Sequence, residues 1–331
     1  MANLEALWIA GRLHPGCKIL ASQQAHYTHQ RISEVLGLKF QSIACDAHFR
    51  IDIEALKKEL DTGDVGTVVA TIGTTGCGAV DPLPQLLRLK EQYGFRLHAD
   101  AAYGGYFILS DCLTDQTAAV YRHLPDVDSI VIDPHKHGLQ PYGCGCVLFK
   151  DPSIGRFYQH DSPYTYFTSS ELHLGEISLE CSRPGAAATA LWATQKMFPM
   201  TKGGQFAETL NACRRAAVQL YSKLKKDKRF LCVCEPELDI VIWAPRGNTA
   251  SSITRKSELF FQFAEKENLH LATFACDNRM LRSLWPGVRF DQNPVRLLRS
   301  CLMKPEHETW LDKMWGVIQH IAENVIGMDA G

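Results

Sequence analysis

An α/β fold built on a mostly parallel sheet, with a smaller α+β part towards the C-terminus, is what this chain predicts. Short apolar runs alternate with helical patterns of about ten residues through the first two-thirds, the rhythm of strands joined by helical crossovers. The run Thr67–Ile72 is strongly β-branched, as suits a strand covered on both faces. From Phe230 onward, strand-like runs follow one another more closely. For 331 residues, these shifts predict a large domain over 1–200 and a smaller one over 201–331.

The elements follow in order. Leu4–Ala10 has helical character and Cys17–Ala21 reads as a strand. His29–Leu36 is helix-like, Phe40–Ala44 a strand and Asp52–Leu60 a helix. After Thr67–Ile72 comes a Gly73-Thr74-Thr75-Gly76 turn, then a helix over Pro84–Tyr93 and a strand over Phe95–Ala99. Ser129–Ile132 and Cys146–Phe149 are two further strands. Asp151–Pro184 is polar, rich in Tyr, Ser and Thr and long for a connector, which suits a lid or partner-contacting loop. Helices are expected at Ala186–Met197 and Phe206–Leu224, strands at Phe230–Cys234 and Leu238–Trp243, and a helix at Glu258–Glu267. Strands near Leu269–Ala272 and Val295–Leu298 and a helix over Glu306–Val325 complete the chain.

Composition narrows the function classes. Hydrophobic residues at 46% and charged residues at 21% exclude wholesale disorder. A net charge of −1 offers no basic excess for a nucleic-acid backbone. No apolar run approaches the ~18 residues of a membrane span, and the start lacks a signal-peptide pattern. A soluble, cytoplasmic protein is the expectation. The 12 cysteines include two C-x-C pairs, Cys144/Cys146 and Cys232/Cys234, inside strand-like runs. Neither pair has a second Cys or His pair at zinc-site spacing, so reduced, mostly buried thiols and no metal are expected.

Two segments carry chemistry. The first is Ser129-Ile130-Val131-Ile132-Asp133-Pro134-His135-Lys136-His137-Gly138. A lysine in the turn after an apolar strand lies at the carboxyl end of the sheet, where ligands bind in such folds. Flanked by two histidines and largely desolvated, Lys136 would serve as an amine nucleophile towards an aldehyde; alone, it also reads as an ordinary turn lysine. The second is Leu97-His98-Ala99-Asp100-Ala101-Ala102-Tyr103-Gly104-Gly105. Asp100 ends a buried-type strand, an expensive place for a carboxylate without a partner. It reads either as a helix cap or as the acid that keeps a pyridinium nitrogen protonated, with small Ala102 leaving room for a flat ring. Asp100 and Lys136 stand 36 residues apart, about one crossover. An acid for the ring nitrogen and an amine for the aldehyde are what pyridoxal phosphate (PLP) chemistry requires.

These two blocks resemble those of the group II PLP-dependent amino-acid decarboxylases. His98–Gly105 is similar to the family's His-x-Asp-Ala-Ala-aromatic-Gly-Gly block. Asp133-Pro134-His135-Lys136 is similar to its Asn/Asp-Pro-His-Lys block, whose lysine carries the cofactor. The resemblance extends over nearly the whole chain and implies the PLP-dependent transferase-like fold (fold type I). It further implies that His26, in Gln24-Ala25-His26-Tyr27, stacks on the ring, that Thr75 lies near the cofactor, and that His135 bonds the phosphate or the aldimine region. Of the loop tyrosines Tyr158, Tyr164 and Tyr166, it points to Tyr164 as the residue that protonates the substrate carbon after carbon dioxide leaves; Tyr166 stays an alternative. Arg183 suits either a carboxylate or phosphate ligand or a structural acid.

The implied reaction is decarboxylation of an L-amino acid, with Lys136, Tyr164 and His26 catalytic and Asp100, Thr75, Ala102 and His135 holding PLP. The turn Asp133–Gly138 with Gly143 and Gly145 looks closest to the microbial tyrosine/aspartate decarboxylase branch, which implies an aromatic substrate such as tyrosine. A homodimer is implied, because the loop would serve the neighbouring site. Ala2–Leu7 resembles the helix that follows the family's phosphate-binding turn. The expectation is therefore a chain without roughly its first quarter; only if that were the whole protein would weak PLP retention and little turnover be expected. Two alternatives remain: a PLP-dependent carbon–carbon lyase of the sphingosine-phosphate lyase type, and an inactive homologue acting as a dimer partner.

Overall fold

In a computed structural model, the described residues are 1–158, 179 and 185–327. Helix α1 (Ala2–Leu13) leads into β1 (Lys18–Ser22), followed by α2 (Thr28–Val35), β2 (Lys39–Ile43), α3 (Ile53–Leu60) and β3 (Val65–Thr71). Next come α4 (Leu83–Tyr93), β4 (Arg96–Asp100), α5 (Asp115–Arg122), β5 (Ser129–Ile132) and β6 (Cys146–Phe149). The six strands form one sheet in the order β2-β1-β3-β4-β5-β6, parallel except for β6. The central strands are the apolar ones: β4 is buried throughout, and β3 at every residue after Val65. Such strands need cover on both faces, and the helical crossovers provide it.

Capping residues set the helix limits. The Asp52 side chain accepts from the Ala55 amide at the start of α3, and Gly94, in the left-handed conformation (φ +75°), ends α4. Beyond residue 185 come α6 (Ala186–Met197), α7 (Gln205–Lys226), β7 (Phe230–Cys232), β8 (Ile240–Pro245) and α8 (Ala250–Lys266). β9 (Ala272–Cys276), α9 (Asn278–Arg282), β10 (Val295–Cys301) and α10 (Glu306–Gly327) complete the chain. The second sheet is antiparallel, in the order β7-β8-β10-β9. One continuous apolar core runs from Leu20, Val68 and Leu97 of the first sheet to Ile240, Ile242 and Leu297 of the second.

Several expectations need correction. Helix α8 begins at Ala250, eight residues before the expected Glu258, because Thr249 caps it by accepting from the Ser252 amide. The polar stretch Ser251–Ser257 hides its helical period. Strand β9 lies at Ala272–Cys276, not Leu269–Ala272, since α8 and the Asn268 turn (φ +55°) take up the intervening residues. Helix α5, with Thr114 as its cap, and the short α9 were not expected. Cys144 sits in the loop before β6 and Cys234 lies past the end of β7, so neither C-x-C pair shares a strand face. The described cysteines carry free thiols. Tyr158 is no part of a lid: it is buried below α1, where its hydroxyl donates to Glu5 Oε2 at 2.9 Å and its ring meets Trp8 edge-on. Tyr164, Tyr166 and Arg183 lie outside the described residues.

Candidate active site

Asp100 and Lys136 belong to adjacent strand ends. β4 and β5 pair in parallel with Asp100 opposite Val131, and the Asp133 amide continues the contact by donating to the Ala102 carbonyl at 3.3 Å. The turn carrying Lys136 therefore emerges beside the residue that ends β4, at the carboxyl edge of the sheet. Two glycines let the loops close. A Cβ on Gly104 would lie 2.3 Å from the Ile72 carbonyl oxygen, and one on Gly138 would lie 2.5 Å from the Tyr106 hydroxyl and 2.6 Å from Pro134 Cα.

Asp100 is 4% exposed and fully engaged. Its Oδ2 accepts from His29 Nε2 at 2.7 Å and from Asn3 Nδ2 at 3.3 Å, and its Oδ1 accepts from the Ala102 amide at 3.2 Å. Burial opposes the charge, but the His29 bond, the nearby His29 and His98 rings and the Ala102 amide outweigh it. They hold the carboxyl well below the usual carboxylate range. Behind it, Asn3 Oδ1 accepts from His98 Nε2 at 3.0 Å, and His98 Nδ1 lies 2.9 Å from Ser129 Oγ. The donors determine one another. Asn3 spends its amide N–H on Asp100, so its oxygen accepts, His98 donates from Nε2, and the Ser129 hydroxyl donates to Nδ1. Burial lowers His98 to about 3, which keeps this ring neutral.

Lys136 Nζ lies 3.1 Å from Asp133 Oδ2, and its side chain is 31% exposed. The expected desolvated lysine is thus corrected: without a ligand it is a half-open, ion-paired amine. His135 is fixed through Nδ1, which bonds the Cys144 carbonyl, and its Nε2 faces Asp133 at 3.7 Å. His26 is half-buried, with Nδ1 2.9 Å from Thr28 Oγ1. Burial chiefly lowers its pKa, and it senses both Asp100, which raises it, and Lys136, which lowers it further. This imidazole therefore lies within electrostatic reach of both expected cofactor residues. Ala102 is buried against Ala6 and Val131. Thr75 is exposed in the turn after β3 and makes no side-chain hydrogen bond among the described residues; its neighbour Thr74 is the buried one and bonds the Ala79 amide.

Asn3 and His29 were missed by the sequence reading. Each had a faint signal. His29 follows His26 by one helical turn, and Asn3 shares a helix face with the buried Ala6, Leu7 and Ala10.

Residues 9–244 match the model of the pyridoxal-dependent decarboxylase conserved domain. Among curated proteins, the chain is 31% identical over 244 residues to a probable L-tyrosine/L-aspartate decarboxylase of Methanothermobacter thermautotrophicus, covering 73% of this chain and 63% of that protein. It is 31% identical over 259 residues to an aromatic-L-amino-acid decarboxylase of Bacillus atrophaeus, covering 73% and 52%. The chain thus spans only about half to two-thirds of these relatives. Among solved structures, Oryza sativa TDC with PLP and tryptamine superposes with a TM-score of 0.80 at 19% identity, covering 98% of this chain and 68% of that one. Mouse CSAD in apo form gives 0.77 at 18%, covering 97% and 69%. At that identity these structures speak for the fold, while the domain match covers most of the sequence. By that match, the chain belongs to the pyridoxal-dependent decarboxylase family.

Proposed function

We propose that this chain decarboxylates an L-amino acid with PLP, releasing the amine and carbon dioxide, and that the substrate is aromatic, with tyrosine the leading candidate. The observation that carries the reading is the pairing of β4 with β5, which sets an ionised, buried carboxylate beside the turn of a primary amine. The donor set suits the cofactor: a buried anion for a ring nitrogen, an amine for an aldehyde, and an imidazole, His26, that feels the charge of both. When bound, PLP supplies an electron-poor ring that takes up the electron pair left by the departing carboxylate.

The chain's own residues do the rest. Asp100 would hold the proton on the ring nitrogen, Lys136 would provide the amine that tethers the cofactor, and His26 would cover the ring. His135 and the neighbourhood of Thr75 and Ala102 complete the binding surface. Tyr164 is the proposed proton donor to the substrate carbon, acting across a homodimer. Support for a second copy comes from α6, where no described residue is buried and Trp192 and Met197 are 61% and 73% exposed. The cytoplasm suits the free thiols of the described cysteines. Tyrosine is favoured because one of the curated relatives above carries it, beside aspartate, in its name and the other carries the aromatic acids.

The test is to incubate the purified chain and PLP with a panel of L-amino acids, following carbon dioxide and amine together. Equal amounts of both from tyrosine, lost in Lys136→Ala, are expected. An aldehyde product without carbon dioxide, or a cofactor spectrum indifferent to Lys136→Ala, overturns the reading.

A further inference from the structure

We propose that His29 is a positioning residue for the cofactor's ring nitrogen, acting through Asp100. This role rests on the reading that Asp100 meets that nitrogen. His29 is 0% exposed and lies on α2, a segment otherwise remote from the Asp100 and Lys136 loops in sequence. Its Nε2 makes the shortest bond that Asp100 has, 2.7 Å. The carboxylate has no proton to give at neutral pH, so the imidazole is the donor. Its other nitrogen, Nδ1, is buried with no hydrogen-bond partner among the described residues. A purely structural histidine would ordinarily engage both nitrogens, because an orphaned buried polar atom is costly. Here the single bond made is the one that fixes the carboxylate.

The geometry also divides the labour. Asn3 and the Ala102 amide restrain Asp100 from α1 and from its own loop, and the Asn3 bond is long at 3.3 Å. His29 is the short, charge-assisted contact that sets the rotation of the carboxyl group. It also sits three residues after His26. One turn of α2 and its entry would therefore place one imidazole at the ring face and another behind the group at the ring edge.

The experiment measures the PLP dissociation constant by fluorescence, and the pyridine nitrogen resonance of 15N-labelled PLP, in wild type, His29→Leu, His29→Gln and Asp100→Asn. In His29→Leu, affinity is expected to fall about tenfold, the scale of one hydrogen bond to a charged group. Its nitrogen resonance should move towards the unprotonated value. In His29→Gln, whose amide can reach the place of Nε2, both readouts should return most of the way. In an Asp100→Asn background, adding His29→Leu should change little, since the two act through one contact. Should His29→Leu fail to fold, His29→Asn, whose amide stops short of Asp100, replaces it. Wild-type affinity and an unshifted nitrogen signal in His29→Leu overturn the role of His29 alone. Failure of the wild-type chain to bind PLP in a Lys136-dependent way overturns the cofactor reading, and this role with it.

Discussion

The Tyr103 hydroxyl donates to Asp239 Oδ1 at 2.6 Å, joining the loop after β4 to the segment that enters β8, 136 residues away in the chain. The other carboxylate oxygen lies 3.3 Å from His137 Nε2, close enough to attract, though without the alignment of a hydrogen bond. Asp239 is fully buried. One carboxylate from the smaller sheet therefore ties down the loop of Tyr103, beside Asp100, and lies against His137, beside Lys136. Nearby Glu237 does the same for the outer loops, bonding Arg50, the Val80 amide and Thr117.

Removing that carboxylate should loosen the contact between the loop after β4 and the start of β8. Asp239→Ala leaves the buried Tyr103 hydroxyl without its acceptor. A cost of about 1–3 kcal/mol is expected, as for a buried donor left without its acceptor. Asp239→Asn keeps one acceptor for Tyr103 and should cost less. Urea unfolding of both variants checks this; equal stability with wild type would mean that Asp239 is not a tie.

Gly138→Ala tests the turn alone. The new methyl would meet Pro134 backbone atoms at 2.6 and 2.7 Å, and backbone cannot swing aside as a flexible side-chain end can. The turn must open, carrying Lys136 with it, at an overpacking cost of about 1–3 kcal/mol. PLP affinity is expected to fall more than the unfolding midpoint does. A variant that binds PLP normally would show that the turn tolerates the shift.

Much of this was legible in the sequence, for physical reasons that differ by region. Strand β3 and the Lys136 turn announce themselves because a strand buried on both faces must be apolar and the turn must carry Pro and Gly. Asp100 was legible because a carboxylate ending such a strand needs a partner. That partner was not: His29 and Asn3 come from α2 and α1, brought in by tertiary packing that local pattern does not encode. Helix α8 was cut short for a similar reason. Ser251–Ser257 has little apolar period, and its helical state follows from the Thr249 cap and from packing against β10 rather than from an obvious stripe.

The pair between Lys136 and Asp133 makes a kinetic prediction. The amine must leave a carboxylate 3.1 Å away before it can reach an aldehyde. Asp133→Asn keeps the size of the side chain and removes the charge. Capture of PLP, followed by stopped-flow absorbance, should speed up by about three- to tenfold, the reach of a partly exposed ion pair of about 1 kcal/mol. A slower capture would show that Asp133 orients the amine rather than restrains it.

Stability should depend on pH through His98. Burial is the main cause of its low value, reinforced by the neighbouring His29 and partly opposed by Asp100. The ring titrates near its ordinary value of 6.5 when unfolded and at about 3 when folded. Between those limits the unfolded chain binds the extra proton, so stability rises with pH across that window. Above about pH 6.5 the contribution is complete; as pH falls towards 3 it is lost, at up to about 1.4 kcal/mol per pH unit for this one group. Asp100, whose pKa is depressed in the fold, adds a second loss below its ordinary value of 3.8. Between pH 4.5 and 7 buried Asp81, raised by burial to about 7, works in the opposite sense, so the histidine's share is read as the difference in denaturant midpoints between wild type and a His98 variant. His98→Gln, which cannot take up a proton, should lower the slope of that part of the curve while costing stability at pH 7. A slope unchanged by this substitution would assign the proton to another buried imidazole, with His137 the next to replace, since burial lowers it as well.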